Sequence, residues 1–163
     1  ERGVNLQLQP PTPQLSTLNS QPSVDGKALQ QALVNLIDNA LKYSPKGDTV
    51  TVGLEVRNAE SSVTHGTPRT THHATPIHLW VEDHGDGIPL PEQEKIFERF
   101  YRCGSELRRQ TQGVGIGLSI VKHIVEAHGG KVLVRSAPGQ GSRFTIELPV
   151  NHNQETKEQR RGP

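Results

Sequence analysis

The sequence predicts an α/β fold of the α+β kind: a two-layer sandwich, with helices packed on one face of a mixed, mainly antiparallel sheet. Three observations lead there. Apolar residues recur at helical spacing in two stretches, from Asp25 to Tyr43 and from about Leu118 to His128. Five other stretches alternate apolar and polar residues with the period of a strand. The last two of these flank Pro138-Gly139-Gln140-Gly141, a turn signal that makes them a hairpin. Amphipathic helices and half-buried strands in this mixture bury their apolar sides against one another as two layers.

Each element follows in order. Val4, Leu6 and Leu8 alternate with polar residues as a short strand, which the prolines from Pro10 onward stop. Residues 1–24 are expected to be partly loose. Asp25 caps a helix whose stripe is Leu29, Leu33, Leu36, Ile37, Ala40 and Leu41. Ser44-Pro45 ends it, because a residue before proline is pushed out of the helical region. Thr49 to Val56 and Ile77 to Val81 are strands, joined by residues 57–76, a Thr-, Ser- and His-rich stretch expected to form a long hairpin loop. Pro89 and Pro91 precede a short helix from about Glu92 to Tyr101. The second amphipathic helix carries Leu118, Val121, Ile124 and Val125 and stops at Gly129-Gly130. Val132 to Arg135 and Arg143 to Leu148 close the domain, and the polar end, 150–163, is expected to be disordered.

Composition narrows the function classes. The chain has 163 residues and a formal charge of +1 with interspersed signs, so it has no electrostatic footprint for nucleic acid. No apolar run is long enough to cross a bilayer, and no membrane contact is expected. Cys103 is the single cysteine and can form no internal disulfide. With no Met and a start at Glu1-Arg2-Gly3, the chain is expected to be a piece of a longer protein.

Three motifs stand in one order: Asn35-Leu-Ile-Asp-Asn39-Ala-Leu-Lys42-Tyr43, Asp83-His-Gly85-Asp-Gly87-Ile88, and Gly113-Val114-Gly115-Ile116-Gly117-Leu118. Asn35 and Asn39 are four apart and share a helix face with Lys42 and Tyr43, opposite the apolar stripe. That face is either a solvated polar surface or a site, and an amide oxygen is a hard ligand suited to Mg²⁺. Asp83 either makes a plain Asx turn or offers a carboxylate to an adenine amine, with Gly85 and Gly87 permitting close approach of backbone. The third motif opens a helix, where free N–H groups make an anion site. It has neither the dinucleotide-binding spacing nor a following Gly-Lys-Ser/Thr. Arg102, Arg108, Arg109 and Gln112 before it are phosphate candidates or members of a solvated loop. His65, His72, His73 and His78 lack accompanying ligands at metal-binding spacing.

Together with Ile96-Phe97-Glu-Arg-Phe100-Tyr101-Arg102, these motifs resemble the ATP-binding half of bacterial sensor histidine kinases, the GHKL or Bergerat-fold family, over roughly residues 25–149. The resemblance implies ATP and Mg²⁺ as cofactors. It implies Asn39 as magnesium ligand, Asn35 and Asn39 as the catalytic pair, Lys42 and Tyr43 at phosphates and base, and Asp83 at adenine. Gly85, Gly87 and Ile88 would line the base pocket. Arg102, Arg109, Gln112 and Gly113 to Leu118 would bind nucleotide through a mobile lid, residues 102–117, rooted by Phe97, Phe100 and Tyr101. The family has a much shorter connection where residues 57–76 stand.

Hydrolytic relatives place a glutamate, the general base for water, where Asn35 stands, and an amide cannot take that proton. Phosphoryl transfer to a protein side chain is therefore expected. The ending Gly129-Gly130…Ser136…Gly139-Gln-Gly141-Ser142-Arg-Phe144 is similar to the same kinases. The family's acceptor histidine is absent, so the expected partner is a histidine-containing dimerisation domain and, through it, a response regulator. The chain itself is expected to be monomeric and cytoplasmic. The competing readings are a serine/threonine protein kinase of the same fold and a non-catalytic interaction module.

Overall fold

The computed structural model describes residues 3–12, 24–56, 76–103 and 113–150. Five strands form one sheet in the order β1-β2-β3-β5-β4: β1 Asn5–Leu8, β2 Thr49–Val56, β3 Ile77–Asp83, β4 Lys131–Ser136 and β5 Ser142–Leu148. Among the described residues β1 and β2 pair in parallel, and the β2–β3, β3–β5 and β4–β5 pairings are antiparallel. Helices α1, Gly26–Tyr43, and α2, Gly117–Ala127, pack on one face. The expected two-layer α/β architecture is the one observed.

Alternation along the strands decides which face is covered. Val50, Val52, Val81, Phe144, Ile146 and Leu148 point to the helices and form the core with Ala32, Leu36, Ala40, Val121 and Val125. Asp25 caps α1 by accepting the N–H groups of Lys27 at 2.9 Å and Ala28 at 3.2 Å. The two helices are joined at their far ends by His128. Its Nδ1–H donates to Ile124 O at 2.7 Å while Nε2 accepts the N–H of Asp25 at 3.0 Å. A nitrogen that accepts an N–H carries no proton, so the partners fix this tautomer.

Among the described residues the other face of the sheet carries no helix. Trp80 is 4% exposed there, with the Arg143 guanidinium 3.7 Å above its ring. Arg143 also reaches Glu55 and Glu82, each at 3.3 Å, and His78 lies 3.0 Å from Glu147. Gly53 pairs with Trp80 across β2 and β3, and a Cβ at Gly53 would enter the indole ring. Gly53→Ala is therefore expected to destabilise the fold by about 1–3 kcal/mol through overpacking, read as a lower urea midpoint at unchanged slope.

Several sequence expectations need correction. The segment from Glu92 to Tyr101 is not one helix but two 3₁₀ turns, Leu90–Glu92 and Lys95–Phe97. The chain turns extended at Glu98, so the segment closes with i→i+3 bonds, among them Glu98 N–H to Lys95 O at 2.9 Å. Strand β3 continues two residues beyond Val81, so Asp83 is its last residue rather than lying in the loop just after it. Asn35 and Asn39 do not lie opposite the apolar stripe of α1. They are half-buried on its flank, beside α2, and the exposed side carries Val34 and Asp38. Residues 57–75 and 151–163, including most of the expected hairpin loop and the polar tail, lie outside the described residues, as do 1–2 and 13–23. Among the described residues no helix is long and apolar enough to cross a membrane.

Candidate functional site

The end of α1, the loop after β3 and the start of α2 converge at one edge of the sandwich. Asn35 Nδ2 donates to Gly117 O at 3.5 Å, and its Oδ1 accepts from Gln31 Nε2 at 3.2 Å. Asn39 stands one turn later, its Nδ2 3.9 Å from the place a Gly117 Cβ would occupy. Lys42 Nζ lies 5.0 Å from the Tyr43 ring centroid and 2.6 Å from where a Cβ of Gly113 would be. The first and third motifs, far apart in sequence, thus face each other directly.

Asp83 brings in the second motif. It is 5% exposed, and its Oδ1 accepts the N–H of Gly85 at 2.9 Å. The Asx turn is therefore present, with the carboxylate buried at the end of β3. Burial raises its pKa above the usual carboxylate range, opposed by hydrogen bonds from the backbone of Gly85 and Ser142 and by the neighbouring His84. Gly85 packs so closely on the end of α1 that a Cβ would stand 2.6 Å from Tyr43 O. Gly87, at φ +71°, lies against Ala137 O, where a Cβ would collide.

At the rim, the Phe100 N–H donates to Gly115 O at 2.8 Å, tying together the two ends of the segment expected to be a lid. Phe100 has φ 66° and is 69% exposed, so it roots that segment through its backbone, whereas Phe97 and Tyr101 pack on the core. The expectation that all three aromatics anchor by packing is corrected at Phe100. Gly113 to Gly117 lead into α2, with Val114 and Ile116 exposed and Leu118 and Ile88 half-buried. Arg102 is half-buried at the lid's start; Arg108, Arg109 and Gln112 lie outside the described residues.

Three supporting residues were given no role from sequence. Gln93 Nε2 donates to Ile88 O at 3.0 Å and to Ser136 O at 2.9 Å. Ser136 Oγ accepts the Ile88 N–H at 2.7 Å. His84 Nδ1 lies 3.2 Å from Thr49 O and 3.4 Å from Asp48 Oδ1, bracing the loop from the other side. The only sequence signal was the spacing of Ser136, Gly139, Gly141 and Ser142, which marks a turn and says nothing of what the turn touches.

A family model described as histidine kinase-, DNA gyrase B-, and HSP90-like ATPase matches residues 24–152. The sensor histidine kinase WalK of Bacillus subtilis is 38% identical over 132 residues, 81% of this chain and 19% of that protein. The sensor-like histidine kinase SenX3 of Mycobacterium tuberculosis is 39% identical over 143 residues, 85% of this chain and 31% of that protein. The solved structure of a mycobacterial sensor histidine kinase, MprB, aligns with TM-score 0.62 at 30% identity, covering 91% of this chain and 83% of that one. The chain spans less than a third of the length of these two curated relatives.

Proposed function

Because the chain belongs to the HATPase_c family of histidine kinase-, DNA gyrase B-, and HSP90-like ATPases, we propose that it binds Mg-ATP in this cleft and donates the γ-phosphoryl group to a histidine on a separate dimerisation domain. A response regulator would receive the group from there, on the cytoplasmic side where ATP is supplied.

The observation that carries transfer over hydrolysis is Asn35. Its amide sits at the junction of α1 and α2, occupied by Gln31 and Gly117 on its two sides, and offers no basic atom to a water molecule. The acceptor imidazole brings its own nucleophile. Its nitrogen attacks the γ-phosphorus in line, the bond from that phosphorus to the β,γ-bridging oxygen breaks, and ADP departs. Asp83 would accept the adenine amine, and Lys42 and the backbone from Gly113 to Gly117 would meet the phosphates.

The donor set suits a cation that arrives with the nucleotide. Among the described residues no group of three His, Cys, Asp or Glu side chains could hold a metal ion, and Asn39 supplies one neutral amide. Mg²⁺ accepts such a site because it keeps waters and takes remaining ligands from phosphates. When bound it would neutralise charge on the β- and γ-phosphates.

Calorimetric titration with a non-hydrolysable ATP analogue is expected to show saturable binding that requires Mg²⁺ and is not reproduced by the guanine analogue. With labelled ATP and a separately supplied dimerisation domain, acid-labile label is expected on that partner and none on this chain. Acid-stable label on a hydroxyl residue, or no nucleotide binding, would overturn the proposal.

A further inference from the structure

The hydrogen-bond pattern behind Asp83 fixes where protons lie. Ser136 Oγ has three partners: the Ile88 N–H at 2.7 Å, Gly141 O at 2.8 Å and Ser142 Oγ at 3.0 Å. A hydroxyl has one proton and two lone pairs. The Ile88 N–H can only donate, so it takes a lone pair. The Gly141 carbonyl can only accept, so it takes the proton. What remains for Ser142 is the second lone pair, and Ser142 must therefore donate its own proton to Ser136. Gln93 clamps the arrangement from behind by holding both Ile88 O and Ser136 O.

Ser142 is 7% exposed and is the residue paired with Asp83 across β3 and β5. Cross-strand partners share a sheet face, so with its proton committed backwards Ser142 presents only lone pairs on the side of Asp83. The Asp83 carboxylate likewise presents only lone pairs. We propose that Ser136 is a specificity-determining positioning residue. By consuming the Ser142 proton it leaves the Asp83–Ser142 pair with acceptors alone to offer a base, and so selects a purine carrying a donor at the six-position. The inference rests on the reading of Asp83 as the base-recognition residue and adds the source of its selectivity. Without the Ser136 hydroxyl, Ser142 is free to turn its proton into the pocket and donate to a six-oxo group.

The β4–β5 turn supports this geometry by interlocking with the loop after β3. Gly139 N–H donates to Asp86 O at 2.7 Å, and Gly141 lies against Asp83 O and His84 so closely that a Cβ would collide. Ser136 thus sits between two backbones that fix each other.

The experiment is the ratio of affinities for ATP and inosine triphosphate, with Mg²⁺, in the unsubstituted domain and in Ser136→Ala. Inosine differs from adenosine at the six-position, with an oxygen for the amine and a proton on the adjoining ring nitrogen. The parent is expected to prefer ATP, and Ser136→Ala to lose about tenfold of that preference, chiefly by binding inosine triphosphate better. Ser136→Thr, which keeps the hydroxyl, should restore the ratio. In a Ser142→Ala background, Ser136→Ala should leave the ratio unmoved, because no proton remains to be redirected. If Ser136→Ala melts below the assay temperature, Ser136→Cys replaces it, with a thiol that fills the space but accepts poorly. A parent without preference for ATP overturns the base-pocket reading and this inference together. A parent that prefers ATP, with both affinities falling in parallel in Ser136→Ala or Ser136→Cys, overturns the inference alone and leaves Ser136 as a structural strut.

Discussion

A domain carrying Asp83→Asn is expected to bind an ATP analogue about ten- to a hundredfold more weakly, because the adenine amine then loses a charged acceptor. Its fold should remain within about 1 kcal/mol of the parent, since an amide oxygen can still take the Gly85 N–H and the buried charge is gone. The pH dependence separates these effects. Burial places the folded pKa of Asp83 above its ordinary value of 3.8. Between those two values the native state holds a proton that the unfolded chain has released, so the stability contributed by that proton is present below 3.8 and is lost as pH rises through the folded pKa. Asp83→Asn should abolish this part of the stability profile. ATP affinity in the parent should fall on acidification at a pH higher than an ordinary carboxylate would give. Equal ATP affinity in parent and variant, measured calorimetrically across that range, would show that Asp83 does not read the base.

Gly87→Ala is expected to cost about 3 kcal/mol or more and to remove nucleotide binding with it. Two penalties coincide there. At φ +71° any side chain strains the backbone, and a Cβ would also run into Ala137 O. The site has no room to relax, because the turn bearing Ala137 is held by Gly139 N–H on Asp86 O at 2.7 Å and Gln140 N–H on Ala137 O at 3.0 Å. Gly139 is the control. It has φ +75° but nothing within 4 Å of a Cβ, and Gly139→Asn meets only the modest strain that asparagine tolerates. Urea midpoints for the two variants should differ widely. A midpoint for Gly87→Ala near that of Gly139→Asn would mean that the two loops are not interlocked in solution.

Much of this architecture was legible because its elements advertise themselves locally. The α1 stripe, the Asp25 cap, the strand alternation and the glycine turn each express a period or a backbone requirement carried by neighbouring residues. The segment after Pro89 was misread because Glu92 to Tyr101 has helix-length hydrophobic spacing. The extended backbone at Glu98 and the left-handed Phe100, whose N–H goes to Gly115 O, end helical pairing there and leave two turns. The flank position of Asn35 and Asn39 escaped the helical pattern for a different reason. Periodicity gives the angle between residues but not the width of the buried stripe, and that width is set by α2 lying alongside. Ser136 and Gln93 are illegible as supports of the site because most of their partners are backbone atoms, which leave no trace in side-chain spacing. The convergence of the three motifs, by contrast, needed only their presence in order.

The register between β2 and β3 carries one more consequence. Val56 and Ile77 still pair directly although twenty residues separate them in the chain. Closing a connection of that length instead of a four-residue one costs only about 1.4 kcal/mol of chain entropy. Asp83 lies at the other end of β3, roughly 20 Å along the strand. The domain thus keeps its tolerance for inserted sequence at one end of the sheet and its intolerance of even a methyl group at the other, so that new segments can be accommodated without disturbing the cleft.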